Sequence, residues 1–220
     1  MLAYRYAPSG PVAVAVDELI VEPACQVVIT GASGGGKSTL LHLIAGLMDP
    51  TQGEVHVAGT CINSLRGSKL DRFRGQHIGM VFQTHQLLHG FSVLENVLAA
   101  LMFSQIKKSE RNARALALLE ELGINAPHAR IDELSLGQQQ RVAVARAIAC
   151  SPTIVLADEP TSALDPAIAG TAMDLLQNAC RSNNAALICV THDHILVDRF
   201  DRHHRLEDLA PDRAQAGGSV

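Results

Sequence analysis

The sequence contains no tryptophan, and aromatic residues make up only 3% of its 220 residues. No apolar run approaches the roughly 18 residues that a membrane-spanning helix needs, so the sequence predicts no membrane span. A formal net charge of −4 at pH 7 provides no broad basic surface, and we therefore expect no nucleic-acid partner. The hydrophobic share of 47% and the charged share of 18% are typical of a packed globular domain.

The five cysteines include no Cys-x-x-Cys pair of the kind used in zinc and redox motifs. They stand in apolar surroundings, which favours buried, reduced thiols in a cytosolic protein. The chain length favours one domain spanning residues 1–220. Within it we expect a helical subdomain over about 84–150 and a frayed tail over about 210–220.

Three short apolar runs, at residues 27–30, 153–158 and 186–191, have the length of strands. Their continuous hydrophobicity is typical of a parallel sheet covered on both faces. Residues 53–59 alternate apolar and polar between glycines, which predicts an antiparallel strand in a small separate sheet. The sequence therefore predicts an α/β fold with a mostly parallel sheet.

The middle of the chain carries helix signals. Ser92 and Glu95 have capping-box spacing for a helix that runs to about Met102. A second helix is expected from about Glu110 to Leu122, because Gly123 follows it.

The stretch GASGGGKS at residues 31–38 fits the phosphate-loop pattern G-x-x-x-x-G-K-[ST] and stands between a predicted strand and a predicted helix. Glycines let successive backbone N–H groups turn toward phosphate oxygens where a Cβ would block the approach. Lys37 supplies a charge for the β- and γ-phosphates, and the Ser38 hydroxyl is suited to ligate Mg²⁺. The predicted triphosphate site comprises Gly31, Ala32, Ser33, Gly34, Gly35, Gly36, Lys37, Ser38 and Thr39.

Two acidic residues, Asp158 and Glu159, stand where the apolar run 153–158 ends. Paired with a phosphate loop, Asp158 is placed to hold Mg²⁺, and Glu159 is placed to orient or deprotonate the attacking water. We predict that Glu159 and Lys37 are catalytic residues.

The segment LSLGQQQRVAVARA at residues 134–147 places Ser135 and Gly137 before a predicted helix, which favours an anion site. It resembles the signature of ATP-binding cassette (ABC) nucleotide-binding domains, and the resemblance extends over residues 2–209. Leu136 departs from the glycine that is more frequent in that family. The resemblance implies a phosphate-loop NTPase core with a small antiparallel β subdomain and a helical signature subdomain. It also implies Mg²⁺-dependent ATP hydrolysis by a head-to-tail homodimer, in which Ser135, Gly137 and Gln138 contact the nucleotide of the partner.

Further positions match the family by motif. Gln83 in GMVFQ resembles the glutamine that contacts Mg²⁺ and water, Asp165 in SALD resembles the dimer-interface loop, and His192 resembles the switch histidine that positions Glu159 and the water. Family members also place an aromatic ring on the adenine some two dozen residues before the phosphate loop. Tyr6 falls there, with Tyr4 as the competitor.

Residues 72–98 are similar to the branch that holds lipoprotein-releasing and macrolide-efflux ATPases. This similarity implies an exporter or release system with the permease on a separate chain, and a peripheral location on the cytoplasmic face of the inner membrane. The apolar residues after Gln83, which we expect to be helical, either contact the permease or fill the helical subdomain: Leu87, Leu88, Phe91 and Leu94. The alternative is a non-transport ABC ATPase that acts as an ATP-dependent binding switch, for example in a cell-division membrane complex.

Overall fold

The computed structural model describes residues 1–211, except for the side chains of residues 166, 167 and 194. Most of the tail expected from about residue 210 therefore lies outside the described residues. The strands are β1 (Leu2–Tyr4), β2 (Val14–Val16), β3 (Gln26–Thr30), β4 (His56–Val57), β5 (Thr60–Cys61), β6 (Ile78–Val81), β7 (Ile154–Asp158), β8 (Ala186–Val190) and β9 (Arg202–Arg205). The helices are α1 (Lys37–Ile44), α2 (Ser68–His77), α3 (Val93–Leu101), α4 (Lys108–Glu121), α5 (Leu136–Ile148) and α6 (Pro166–Ser182).

The main sheet has five strands in the order β6-β7-β8-β3-β9, and every neighbouring pair is parallel. All residues of β3, β7 and β8 are buried, as their continuous apolar runs predict. Val190 is the register partner of both Asp158 and Ile29. The carboxyl ends of these three central strands consequently meet at one edge of the sheet.

The small antiparallel sheet is formed in two pieces, β1–β2 and β4–β5. An isolated bridge between Ala3 and Gln52 connects the first pair to the segment before β4. The strand predicted over 53–59 is reduced to His56–Val57, because Ala58 and Gly59 adopt left-handed φ values of 49° and 73° and turn the chain back.

The middle of the chain is helical as predicted. Ser92 and Glu95 form a complete capping box at the start of α3, and α4 ends just before Gly123, which has φ 70°. The three helices α3, α4 and α5 share one apolar cluster with the sheet, in which Leu101, Leu118 and Val144 are at most 1% exposed. This packing joins the helical layer to the sheet without a break in the core.

Some local expectations were wrong. After the phosphate loop, apolar residues recur at helical spacing up to Leu47, which predicts a helix to that residue. Helix α1 instead ends at Ile44, because Gly46 takes a left-handed φ of 63° and turns the chain. Of the four apolar residues expected to be helical after Gln83, only Leu94 lies in a helix, since a loop precedes α3. In this loop the backbone of His85 and Gln86 is left-handed.

The cysteines are also less uniform than their apolar neighbours predict. Cys180 and Cys189 are buried, and burial raises the pKa of both thiols, that of Cys180 to about 12. Cys25, Cys61 and Cys150 are only half-buried. Within the described residues, no helix combines the length and the apolarity needed to cross a membrane.

Candidate functional site

The phosphate loop follows β3 and leads directly into α1. Gly36 adopts a left-handed φ of 99°, and a Cβ at this position would collide with the carbonyl oxygen of Ala13. Only glycine satisfies both constraints. Within the described part of the chain, no side chain caps α1 and no acidic residue stands in its first turn. The first-turn N–H groups therefore form an anion site at the positive end of the helix.

Lys37 is 6% exposed and lies inside the loop. Its Nζ donates hydrogen bonds to the carbonyl oxygens of Gly31, at 2.9 Å, and Ala32, at 3.0 Å. The ammonium group is thus held at the centre of the loop, where it adds a full positive charge to the cradle of backbone amides. This is the place that the sequence predicts for the β- and γ-phosphates.

Ser38 and Asp158 meet across α1 and β7. The Ser38 hydroxyl donates to Asp158 Oδ1 at 3.0 Å. Asp158 is 9% exposed, and burial raises the pKa of its carboxyl above the usual range, although the hydrogen bond from Ser38 opposes this effect. The two predicted metal ligands therefore present hard oxygen donors at one point beside the loop.

Glu159 is held in an unusual backbone conformation directly after β7. Its φ of 47° is left-handed, a conformation that costs a residue with a side chain roughly 1–3 kcal/mol and that is often retained at functional sites. Thr191 donates from Oγ1 to Glu159 Oε2 at 3.2 Å, and His192 Nδ1 lies 2.9 Å from Glu159 Oε1. The carboxylate is thus oriented by two residues that follow β8.

Glu159 and His192 differ in how far their side chains are exposed. The side chain of Glu159 is 13% exposed, whereas that of His192 is 65% exposed. Both line a cleft of about 820 Å³ that runs along α6 to Arg199. A partly enclosed carboxylate with an accessible imidazole beside it is suited to take a proton from a bound water.

Tyr6 and Tyr4 differ in their position relative to α1. The Tyr6 side chain is 70% exposed, and its hydroxyl lies 2.8 Å from Thr39 Oγ1 in the first turn. Tyr4 packs on the apolar cluster formed by β2, β3 and α1 and contacts Tyr6 edge to face, with ring centroids 5.1 Å apart. Of the two rings, Tyr6 is the one that remains open to a base next to the phosphate loop.

The signature residues lie on a different element from the phosphate loop. Ser135 caps α5: its Oγ accepts from Gln138 N at 3.3 Å, and Gln138 Oε1 accepts from Ser135 N at 2.9 Å. Leu136 beside them is 52% exposed. In the described part of the chain, the side-chain hydrogen bonds of Ser135 and Gln138 join these two residues to each other and not to the phosphate loop. Asp165 precedes α6, where its carbonyl oxygen accepts from Ile168 N and Ala169 N.

Gln83 lies two residues after β6 and is exposed. Since β6 pairs with β7 in parallel, Gln83 follows the same sheet edge as Asp158.

Two further groups near the loop were not predicted from motifs. One is the Thr191 hydroxyl, and the other is the Glu207 carboxylate, whose Oε1 lies 3.4 Å from Ala32 N. Thr191 ends a predicted strand, which is a weak signal, and nothing local indicates Glu207.

Residues 17–162 match the family model described as ABC transporter. The chain belongs to the ABC transporter family. As an ABC-type ATPase, it binds and hydrolyses ATP, and the predicted α/β fold class with a mostly parallel sheet is confirmed.

One relative of this chain is the lipoprotein-releasing system ATP-binding protein LolD of Xanthomonas oryzae pv. oryzae. The two sequences are 43% identical over 203 residues, which cover 88% of this chain and 82% of that protein. LolD of Chromohalobacter salexigens is 40% identical over 205 residues, covering 93% and 86%. A solved dimeric structure of a post-hydrolysis state of the ATP-binding cassette MJ0796, bound to ADP and Pi, superposes with a TM-score of 0.82 at 35% identity, covering 96% of this chain and 94% of that one.

Proposed function

We propose that this chain is the Mg²⁺-dependent ATPase subunit of an export or release system, and that it powers a permease on a separate chain. The subunit works as a homodimer, peripherally bound at the cytoplasmic face of the inner membrane. The relatives named lipoprotein-releasing system ATP-binding protein support this branch of the family. The single observation that carries the catalytic part is the Glu159 carboxylate, which Thr191 and His192 hold beside the phosphate loop.

The donor set beside the loop fits Mg²⁺. Ser38 Oγ and Asp158 Oδ1 are hard oxygen donors, which this cation prefers over nitrogen or sulfur. The Gln83 side-chain amide follows the same sheet edge and offers a third oxygen. When bound, Mg²⁺ offsets the negative charge that develops on the phosphate oxygens.

The proposed reaction is an in-line attack of water on the γ-phosphate. Glu159 accepts the proton of the attacking water as the new O–P bond forms, and the bond between the γ-phosphorus and the bridging oxygen breaks to release ADP and phosphate. His192 holds Glu159 and the water in line. Lys37 and the loop amides stabilise the charge on the phosphates, and Tyr6 stacks on the adenine ring.

A second copy of the chain completes this site. Ser135, Gly137 and Gln138 stand at the N-terminus of α5, where Ser135 and Gln138 are exposed, and in the proposed dimer they contact the γ-phosphate that the partner holds. The cassette MJ0796, which this chain resembles, is described as dimeric. Asp165, which is exposed before α6, borders the same interface.

The dimer is tested by measuring molecular mass with light scattering after gel filtration. Glu159→Gln with ATP and Mg²⁺ should give twice the monomer mass, and adding Ser135→Arg should restore the monomer. The matched control is Ser92→Arg, because Ser92 caps α3 with the same capping box but lies outside the proposed interface. If Ser135→Arg leaves the dimer intact, the proposed role of α5 is wrong.

Lys37→Ala should abolish ATP binding.

The permease contact is best supported at a cleft of about 260 Å³ beside the loop that holds Gln83. Phe82, Gln86, Phe103 and Arg146 are among the residues that line this cleft. Phe103 is 52% exposed, so an incoming apolar helix would find both an aromatic surface and an open entrance. Of the four apolar residues weighed in the sequence, Leu87 and Leu94 fill the core at 7% exposure, while Leu88 and Phe91 remain exposed.

The permease is identified by co-purification from detergent-solubilised host membranes, with tagged Glu159→Gln in ATP and Mg²⁺. A multi-span membrane protein in stoichiometric amount is expected. Phe103→Asp should abolish its recovery, whereas Met102→Asp should not, because Met102 is exposed next to Phe103 but lies outside the cleft. Recovery of soluble partners alone would contradict the transport function.

A further inference from the structure

Three side chains on the β4–β5 hairpin bring a carboxylate, an imidazole and a thiol together. Glu54, His56 and Cys61 each offer one ligand atom, and these atoms all lie within 4.8 Å of one another. His56 and Cys61 are register partners across the antiparallel pair. Glu54 precedes His56 by two residues, so strand alternation places it on the same face. The cluster is therefore a product of strand pairing.

Packing on the opposite face of the hairpin fixes the shape of the face that carries these three residues. Its inner face is buried in the same apolar cluster as α1, through Val55, Val57 and Ile62. Ile62 N donates to Val55 O at 3.0 Å, which pairs the two strands one residue beyond His56 and Cys61. Opposite residues between such hydrogen-bonded pairs have their side chains closest together. The imidazole and the thiol therefore stay adjacent as long as the hairpin is paired.

We propose that Glu54, His56 and Cys61 bind a zinc-class divalent cation. Histidine nitrogen, cysteine sulfur and carboxylate oxygen are the donors that Zn²⁺ takes, and a site with three protein ligands leaves the fourth position for water. Zinc bonds of about 2.0–2.3 Å place tetrahedral ligand atoms roughly 3.5 Å apart. Rotation of the exposed Glu54 and His56 side chains closes the remaining separation.

Cation binding displaces one proton and one existing contact. The thiol proton of Cys61 passes to solvent, and the metal replaces the 3.2 Å contact between His56 Nε2 and Glu54 Oε2. A thiolate and an imidazole select against Mg²⁺, which prefers oxygen ligands. The three residues have no part in the nucleotide site. The bound cation clamps β4 to β5 on the outer face of the hairpin.

The test is a zinc titration of the chelator-stripped full-length protein, in competition with a chromophoric zinc indicator and without nucleotide. One saturable equivalent is expected. His56→Gln and Cys61→Ser should each weaken binding at least tenfold, since even residues behind metal ligands cost about 10- to 100-fold when removed. Co²⁺ in place of Zn²⁺ should produce a thiolate charge-transfer band that Cys61→Ser abolishes.

Matched controls are Cys25→Ser, at another half-buried cysteine, and His89→Gln, at another exposed histidine. Both should retain wild-type zinc affinity. All four variants should keep the wild-type circular dichroism spectrum and ATPase rate, which shows that they fold. The proposal is wrong if the protein takes up no stoichiometric zinc, if His56→Gln and Cys61→Ser bind as tightly as wild type, or if the controls lose affinity equally.

Discussion

The hydroxyl of Thr191 provides a sharp test of how Glu159 is positioned. Thr191 is 1% exposed, and its Oγ1 donates to Glu159 Oε2 at 3.2 Å while accepting from Asp193 N at 3.0 Å. Thr191→Val keeps the shape of the side chain and removes only these two hydrogen bonds. Because the substitution is nearly isosteric, any change in turnover reports on the orientation of the carboxylate.

The expected size of the effect follows from these contacts. A hydrogen bond to a charged group contributes about 1.5–3 kcal/mol, and the 3.2 Å separation favours the lower end. His192 still contacts both carboxylate oxygens, so Glu159 is loosened but not released. We expect kcat to fall about tenfold, as about 1.4 kcal/mol implies, with KM for ATP changed less than about twofold.

The assay is steady-state phosphate release at saturating ATP and Mg²⁺, with thermal unfolding measured in parallel. Thr30→Val is the matched control, because Thr30 is also 1% exposed at the end of a neighbouring strand and its hydroxyl contacts His203 Nε2 at 2.7 Å instead. Both variants should lose similar stability, but only Thr191→Val should lose turnover. Equal kcat values for the two variants would refute the reasoning.

Three further outcomes are expected. Glu159→Gln should retain ATP binding in equilibrium dialysis and lower kcat by about 10²–10⁴-fold, the usual contribution of a general base; a loss below tenfold would exclude that role. Leu101→Ala, at 0% exposure, should lower the free energy of unfolding in urea by about 2–5 kcal/mol, while Leu116→Ala, at 37% exposure on α4, should lower it by less than about 1 kcal/mol. Hydrogen bonds from the Ser92 backbone and hydroxyl lower the pKa of Glu95 in the folded state. The stabilisation of the folded state by ionised Glu95 is present above the unfolded pKa and is lost as the pH falls through the folded pKa. Glu95→Gln should therefore flatten the acid side of the curve of unfolding free energy against pH. An unchanged curve would contradict this.

Elements marked by short-range chemistry could be predicted closely. The capping boxes at Ser92 and Ser135 locate the starts of α3 and α5, because one side chain and one backbone N–H three residues away determine each start. The end of α1 was less accurate. Its apolar pattern continues to Leu47, whereas the chain turns at Gly46 in a left-handed conformation, at a place where a Cβ would lie only 3.2 Å from Leu70 and 3.4 Å from Ile62.

Some residues of the candidate site could likewise be predicted from the sequence, and others could not. The contact between Ser38 and Asp158 could be predicted, since a phosphate loop requires a metal partner at the carboxyl end of another strand of the sheet. That this strand, β7, is separated from β3 by β8 could not be predicted. Thr191 was missed, because its contact with Glu159 depends on β8 pairing next to β7. The Glu54, His56 and Cys61 cluster was missed for a related reason: cysteine spacing along the chain carries no information about the partner opposite in a hairpin.

The sequence by itself determined the phosphate loop, the acidic pair after β7 and the signature segment, because each is a continuous stretch whose backbone and side chains act within a few residues. Family resemblance connected His192 with Glu159, but only the tertiary structure supplied the contact between these two residues, which stand 33 positions apart in the chain. Only the tertiary structure decided that Tyr6 rather than Tyr4 faces outward beside α1. The strand order β6-β7-β8-β3-β9 results from burying both faces of the central strands at once. That is a property of the whole core, which places distant carboxyl ends side by side.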